Sequence, residues 1–354
     1  MTDPDTTPGT AAGRRITITD IAARAGVSTS AVSFALNDKP GVSPETRERI
    51  LSIARDLRWR PHSAARALSG SRAGSLGLVL NRPARTLGTE SFFSDLISGI
   101  QIALTGTHIG MNLTVARSVQ DEIDTYRDWW SGHRVDGVLV IDPRTDDPRL
   151  DVLESIGLPT VVVGSHPSPP NSWPTLWLDD ADATGTVLRY LHALGHRRIG
   201  HVAGPADLEH TALRVEALQE FAHTADLQWS QSLPTDYSAD AGAAATRTLL
   251  SQRERPSAII FDNDILAVAG LGVTAEMGVA VPRDISLVSF DDSTMAQLVR
   301  PALTTLTRDT VGLGERAARL LLAQLDSAER LPSQAGPPLT LSVRASTARV
   351  AHSG

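Results

Sequence analysis

Apolar positions along this 354-residue chain follow two different rhythms. In its N-terminal part they recur at helical spacing. Ile18, Ile21, Ala22 and Ala25 fall on one helix face, Val32, Ala35 and Leu36 on a second, and Ile50, Ile53, Ala54 and Leu57 on a third. The polar residues between them punctuate the same helices. Thr17, with Asp20 three positions on, is a capping-box start, and Gly26 is the residue type that stops a helix in the left-handed conformation. Ser28 caps the second helix, Thr29–Leu36, and Asn37 ends it. Ser43-Pro44-Glu45 opens the third with an N-cap followed by proline. Only Gly26-Val27-Ser28 separates the first two helices, the short glycine-containing turn of a helix-turn-helix. An alanine-rich helix follows within 60–70, closed by Gly70 and too short to persist alone in water.

From residue 75 the rhythm changes to short apolar runs alternating with amphipathic stretches. Ser75–Leu80, Met111–Ala116, Val135–Ile141 and Pro159–Val163 read as buried strands, with helices near 92–106, 120–131 and 148–157. A second series begins at Leu176–Asp179 and a helix to Leu194. It continues with strand Arg198–Ala203, helices near 209–225 and 239–253, and strands Ala258–Phe261 and Ile285–Phe290. Such alternation predicts parallel sheets covered by helices, here as two similar doubly wound subdomains with a cleft between them. A helix from Asp309 to about Ala323, a linker over Pro332–Pro338 and a strand Leu339–Val343 complete the pattern. Ligands of such sheets bind beyond the carboxyl ends of strands. Phe92, Phe93, Arg214, Tyr237, Asp262-Asn263-Asp264 and Asp291-Asp292 stand there. A helix-capping role is the alternative for Asn263 and Asp264, and a core role for Phe92 and Phe93.

Composition narrows the function classes. The chain has no cysteine, which excludes disulfide scaffolds, Cys-ligated zinc, iron–sulfur sites and thiol catalysis. No apolar run approaches the ~18 residues of a membrane span, and no basic segment followed by an apolar one opens the chain, so a cytoplasmic protein is expected. A net charge of −7 argues at first against a nucleic-acid partner. The charge is uneven, however. Residues 14–72 hold 11 bases, of which Lys39 is the only lysine of the chain, against five acids, a local net of +6, while 73–354 carry −11. A basic head on an acidic body marks an appended polyanion-binding module, against the plainer reading of a solvated basic face. The surface left free on the second helix is Thr29, Ser30, Ser33 and Phe34. Hydroxyls at a helix N-terminus suit phosphate or base-edge hydrogen bonds in the major groove.

Enzyme signatures are missing: there is no P-loop, no G-x-S-x-G elbow and no H-E-x-x-H. Gly312-Leu313-Gly314-Glu315-Arg316-Ala317 has a G-x-G-x-x-A spelling, but it does not open a crossover directly behind a strand and reads as packing. His192, His196 and His201 have no carboxylate at ligand spacing and read as surface or structural residues. Trp129-Trp130 reads as a helix anchor. No metal or cofactor is expected.

The run Thr17-Ile18-Thr19-Asp20-Ile21-Ala22 … Ala25-Gly26-Val27-Ser28 … Val32-Ser33 … Leu36-Asn37 … Val42-Ser43-Pro44-Glu45-Thr46-Arg47 resembles the head of the LacI/GalR (lactose-repressor) family of transcription regulators. The resemblance continues through Arg60-Pro61 … Ala65-Arg66 … Leu68 and spans roughly residues 16–345. It implies a periplasmic-binding-protein-like body behind the all-α helix-turn-helix head. The implied organisation is a disordered tail (1–13), the head (14–59), a hinge helix and linker (60–72) and an effector-binding body (73–354). The body would divide into subdomains at about 73–173 plus 305–330 and 174–304 plus 331–350.

The resemblance also implies roles. Thr17, Thr29, Ser30, Ser33 and Phe34 become DNA-binding residues of the head, although many relatives carry Arg or His at the position of Phe34. Ala65 and Leu68 become hinge-helix residues entering the minor groove, Leu68 as a wedge that bends the duplex, with packing against the head as its alternative. In the cleft, Phe92 and Phe93 become effector-binding aromatics, Arg214, Asn263 and Asp291 polar contacts, and Tyr237 a wall. Gly164 stands where many sugar-responsive relatives have an acid, and Leu208 and His210 replace the polar pair of purine-responsive ones. The implied function is a DNA-binding repressor controlled by a small-molecule effector, a carbohydrate by family base rate, with a nucleoside or other metabolite as the alternative. The implied partners are double-stranded DNA with a palindromic operator and a second copy in a homodimer. No terminal leucine heptad for tetramerisation follows. A solute-binding protein without regulatory role shares the body, but has no use for the basic head.

Overall fold

The computed structural model describes residues 16–36, 39–57, 59, 72–82, 88, 90–164 and 173–350. The tail at 1–13, Asn37 and the expected hinge helix lie outside the described residues. Two compact units divide the chain, one up to Ser71 and one from Arg72 onward.

In the first unit three helices, α1 (Ile18–Ala25), α2 (Thr29–Leu36) and α3 (Pro44–Asp56), follow the predicted punctuation. The Thr17 hydroxyl accepts the Asp20 N–H, while the Thr17 N–H donates to Asp20 Oδ2 at 2.8 Å, a complete capping box. Gly26 takes the left-handed conformation at φ +66° that ends α1. Ser43 caps α3, with Pro44 in its first turn. Ile21, Ala22, Ala25, Val32, Ala35, Ile50 and Ala54 form the small core between the helices. Arg47 locks α3 to the end of α2 by donating to Ala35 O at 3.3 Å and Lys39 O at 2.6 Å.

The second unit runs through β1 (Ser75–Asn81), α4 (Ser91–Leu104), β2 (Gly110–Ala116), α5 (Val119–Ser131), β3 (Gly137–Ile141), α6 (Pro148–Ile156), β4 (Thr160–Gly164) and β5 (Thr175–Trp177). It continues with α7 (Asp180–Ala193), β6 (Arg198–Ala203), α8 (Glu209–Thr224), β7 (Trp229–Pro234), α9 (Ala239–Leu250), β8 (Ala258–Phe261) and α10 (Asp264–Glu276). The final elements are β9 (Ser286–Ser289), α11 (Thr294–Leu298), β10 (Thr304–Thr307), α12 (Thr310–Asp326), β11 (Gln334–Ala335) and β12 (Thr340–Ser342). Two six-stranded sheets result, ordered β11-β5-β4-β3-β1-β2 and β12-β10-β9-β8-β6-β7. Both are parallel except that β12 runs antiparallel to β10. Helices bury both faces of the central strands, so β3 (Gly137–Ile141) is an apolar run buried throughout.

The pairing corrects the expected subdomain limits of 173/174 and 304/305. β5 does not open the second series, since it pairs with β4 in the first sheet. β10 pairs with β9 in the second sheet. β11 then returns to the first sheet and β12 to the second. The chain therefore crosses between subdomains at 178–179, 308–309 and 336–339. β7, a half-buried edge strand, was not among the predicted strands, because Trp229-Ser-Gln-Ser-Leu-Pro lacks a continuous apolar run.

Close approaches explain two of the predicted packing residues. A Cβ on Gly77 of β1 would lie 2.5 Å from the Trp129 ring, so the buried Trp129 anchors α5 on the sheet. A Cβ on Gly314 would lie 2.1 Å from Leu96 O, and one on Gly99 1.9 Å from Val311 O. The glycine-rich start of α12 is thus a helix-crossing contact with α4.

Candidate functional site

The head presents one polar helix face. Thr29 and Ser30, in the first turn of α2, are exposed, Ser33 is half-buried, and Phe34 is 41% exposed. Val32 and Ala35 point the other way, into the core. Ser28 accepts the Ala31 N–H at 3.1 Å as the cap, leaving the side chains of Thr29 and Ser30 on the outer surface. Thr17 is exposed too, but its hydroxyl donates to Asp20 Oδ2 at 2.7 Å, so its role in the structure is the capping box. Ala65 and Leu68 lie outside the described residues.

In the body, the six cleft residues named from sequence, Phe92, Phe93, Arg214, Tyr237, Asn263 and Asp291, line one cavity between the two sheets. They come from three loops and two helices, all at strand carboxyl ends, as doubly wound sheets require. Arg214 projects from α8 and is almost fully buried. Its Nε and Nη2 donate to Asp180 Oδ1 at 2.9 and 2.7 Å, Nη1 lies 3.0 Å from Asp262 Oδ1, and the guanidinium stacks 4.0 Å from the Phe290 ring centre. Burial works against its charge, yet Asp180 and Asp262 hold its pKa above the ordinary guanidinium value. Burial alone would raise Asp262, but Arg214 and His201 hold its carboxyl well below the usual carboxylate range. His201 completes this network, placing Nε2 2.9 Å from Asp262 Oδ1 and Nδ1 3.0 Å from Ser232 Oγ.

Asn263 caps α10, its Oδ1 accepting the Leu266 N–H at 2.9 Å, so its amide NH2 is the group it can offer to a ligand. The capping alternative and the cleft position are both realised in one residue. Asp291 accepts from Arg308 Nη2 at 3.2 Å, and burial pushes it up to about 6. Tyr237 sits in the left-handed region at φ +65°, with its hydroxyl 2.8 Å from His210 Nε2. A Cβ on Gly204 would lie 2.2 Å from that hydroxyl, so only glycine fits there. Burial, with Arg214 nearby, lowers the His210 pKa. Phe92 and Phe93 meet edge to face at 5.3 Å; Phe93 belongs to the core as well as the cavity, and Phe92 is partly buried against that core.

Sequence reasoning missed Arg82, Glu90, Asp142, Asp180 and Arg308, which line the same cavity. Four had a signal: Arg82, Asp142 and Arg308 are the first charged residues after β1, β3 and β10, and Asp180 follows β5. Arg82 Nη2 pairs with Asp142 at 2.7 Å, and its guanidinium lies 5.4 Å from the Phe93 ring centre and 5.2 Å from that of Tyr237. Burial would raise Asp142, but Arg82 pulls it below its ordinary value. Glu90 sits beside Arg82, and burial pushes it up to about 7. Arg308 lies 5.6 Å from the Phe92 ring centre. Gly164 also lines the cavity, so this wall has no side chain at the position where many sugar-responsive relatives are expected to carry an acid.

A second contact closes the cleft. The Glu209 N–H donates to Pro143 O at 2.9 Å, and the Thr145 N–H to Asp207 O at 3.2 Å. Arg144 and Leu208 form an isolated antiparallel bridge, and Arg144 ion-pairs with Asp207. The loop after β3 is thereby latched to the loop after β6. The three histidines have separate partners: His192 meets Ala225 O, His196 meets Ser257 and Ala348 O, and His201 meets Ser232 and Asp262.

Residues 17–62 match the family model of bacterial regulatory proteins of the lacI family, and residues 188–347 match a periplasmic binding protein-like domain. Over 315 residues the chain is 31% identical to the HTH-type transcriptional regulator CelR of Thermobifida fusca, covering 88% of this chain and 92% of that one. The chain belongs to the LacI family. It is also 30% identical over 312 residues to the HTH-type transcriptional repressor PurR of Escherichia coli, covering 87% of this chain and 90% of that one. Among solved structures, a CelR–cellobiose complex matches with 28% identity and a TM-score of 0.71 over 94% of this chain and all of that one. A LacI-family regulator from Bifidobacterium animalis subsp. lactis matches with 35% identity and a TM-score of 0.71, over 79% of this chain and all of that one. The lac repressor dimer bound to operator and an anti-inducer shares the fold, with a TM-score of 0.78 over 95% of this chain and all of that one, at 24% identity. This LacI-family chain is therefore a DNA-binding transcriptional regulator under allosteric control by a small molecule, and its relatives are regulators rather than enzymes. Among the described residues no helix is long and apolar enough to cross a membrane.

Proposed function

We propose that this regulator is a cytoplasmic repressor whose effector is a neutral carbohydrate, bound by Phe92, Phe93, Arg214, Tyr237, Asn263 and Asp291. One observation carries the reading. Arg82, Arg214 and Arg308 in the cavity are each matched by carboxylates and each lie against an aromatic ring. Such a cavity offers many donors, acceptors and apolar faces, and its arginines are already paired, which suits a polyhydroxyl ligand. The cellobiose complex of CelR supports the same class. A nucleobase finds less support, because Leu208 is fully buried and His210 is engaged with Tyr237.

On the DNA side, Thr29, Ser30, Ser33 and Phe34 meet the major groove of a palindromic double-stranded operator, with Thr17 fixing the start of the head and Ala65 and Leu68 entering the minor groove. A palindrome needs two heads, so a homodimer is part of the proposal. Ile102 on α4 and Leu113 and Val115 on the edge strand β2 are 43–50% exposed and give it an apolar surface. Ligand shifts the population between cleft geometries, and the three crossings carry that change through the body. A titration of fluorescent DNA from upstream of the chain's own gene, at about 150 mM salt, tests the whole. Binding no tighter than to random DNA defeats the operator assignment, and indifference to every sugar defeats the effector assignment.

A further inference from the structure

Arg82 and Glu90 flank the cavity at the end of β1 and the start of α4. Both are more than nine-tenths buried, at 9% and 8% exposure. Glu90 occupies the N-cap position of α4, where a carboxylate is favourably placed to accept backbone N–H groups. Its side chain makes no capping bond. It turns instead toward Arg82, whose Nε stands 3.7 Å from Glu90 Oε2, too far for a hydrogen bond. The rest of the guanidinium is held in place. Nη2 pairs with Asp142 at 2.7 Å, Nη1 donates to Asn81 O at 3.1 Å, and the group lies near the Phe93 and Tyr237 rings, one from each subdomain. Arg82 Nε and Glu90 Oε1 are left with no hydrogen-bond partner among the described residues. Buried polar atoms of this kind are rare unless something else satisfies them. Here a fixed donor and a buried, unpartnered acceptor lie on one cavity wall.

We propose that Arg82 Nε and Glu90 Oε1 form a hydroxyl subsite, in which one effector hydroxyl, or a vicinal pair, accepts from Nε–H and donates to Oε1. The proposal rests on the carbohydrate reading and sharpens it. A carboxylate at that ligand position has no proton to donate to Oε1, and an ammonium has no lone pair to accept from Nε–H. The subsite therefore selects the neutral sugar over its acidic and amino counterparts. It also places a specificity determinant on the subdomain whose wall is bare at Gly164.

The test is calorimetry on the full chain with a panel of aldohexoses, aldopentoses and α- and β-linked disaccharides including cellobiose. The tightest binder is then compared with its deoxy analogues in wild type, Arg82→Met and Glu90→Ala. The expected result is that both variants lose at least tenfold for the parent sugar. A single deoxy position should cost wild type at least tenfold and each variant less than about twofold, the non-additivity of a direct contact. Variants that bind the parent as wild type does, or that lose equally at every deoxy position, overturn the subsite while leaving the carbohydrate reading intact. If no sugar binds wild type, both fall together. Should either variant fail to fold, wild type alone decides: replacing that one hydroxyl by an amine or a carboxylate must cost at least tenfold, and equal binding overturns the proposal.

Discussion

The head and the cleft offer polar groups to their ligands in opposite ways. The head's offering is short in sequence and exposed: Thr29, Ser30 and Phe34 lie within six residues on one helix, on a segment of net charge +6. The cleft's offering is buried and scattered from Arg82 to Arg308, and its charges are already paired with one another. DNA supplies its own charge and needs only a complementary face, so long-range attraction precedes local contact. The neutral effector proposed for the cleft would supply no field, and its site would have to be shaped by groups that hold each other in place before it arrives. The acidic body, net −11 from residue 73, leaves DNA attraction to the head.

Substitutions can break this contrast from either side. The largest effect is expected from Arg214→Ala, which strands Asp180 as a buried carboxylate and leaves Asp262 only His201 and the Gly204 N–H, at a cost of about 3–5 kcal/mol. Thermal denaturation of the full chain should show a destabilised body and calorimetry no effector binding, while the unfolding transition of the head within that chain stays unchanged. Ile50→Ala removes a fully buried side chain from the small head core and should cost about 2–5 kcal/mol. Operator affinity should collapse while effector binding by the body stays as in wild type; coupled loss of both would show that the two units are not separable.

The fold of the head was legible because its signals are local: a capping box, a glycine stop and an N-cap with proline each act within four residues, and all three are present in the structure. The cleft was legible only where a strand end carried a conspicuous residue, as at Asn263 and Asp291. Arg82 and Asp142 escaped because their meaning lies in a pairing between segments far apart in sequence. β5 was assigned to the wrong subdomain for the same reason, since three residues cannot state which sheet they will join.

A smaller effect concerns pH. Burial raises Glu90 to about 7, so the folded body holds a proton there that the unfolded chain releases near 4.5. That stability is fully present at low pH and is lost as pH rises through about 7. It amounts to at most about 3 kcal/mol at 1.36 kcal/mol per unit. Glu90→Gln should flatten the difference in chemical-denaturation stability between pH 5 and 8; an unchanged slope would place the proton elsewhere. Ser30→Ala should cost about 1–3 kcal/mol in operator binding and little on random DNA, and equal losses would make Ser30 a backbone contact. The smallest change is expected from Asp207→Asn. This partner of Arg144 is largely exposed, and its ion pair is worth less than about 1 kcal/mol. Stopped-flow effector binding should show faster entry with little change in affinity, and an unchanged entry rate would remove the latch from the path of the ligand.

A small molecule in the paired cleft is expected to control the exposed head. The most direct test of that control is the operator dissociation constant of wild type and Asp291→Ala, measured by fluorescence anisotropy with and without the tightest-binding sugar. The prediction is a shift of roughly 5–150-fold in wild type, the usual range of allosteric coupling. For Asp291→Ala the prediction is an unchanged affinity without sugar and no shift with it. An operator affinity that no sugar alters in wild type, or a full response in Asp291→Ala, would contradict the claim.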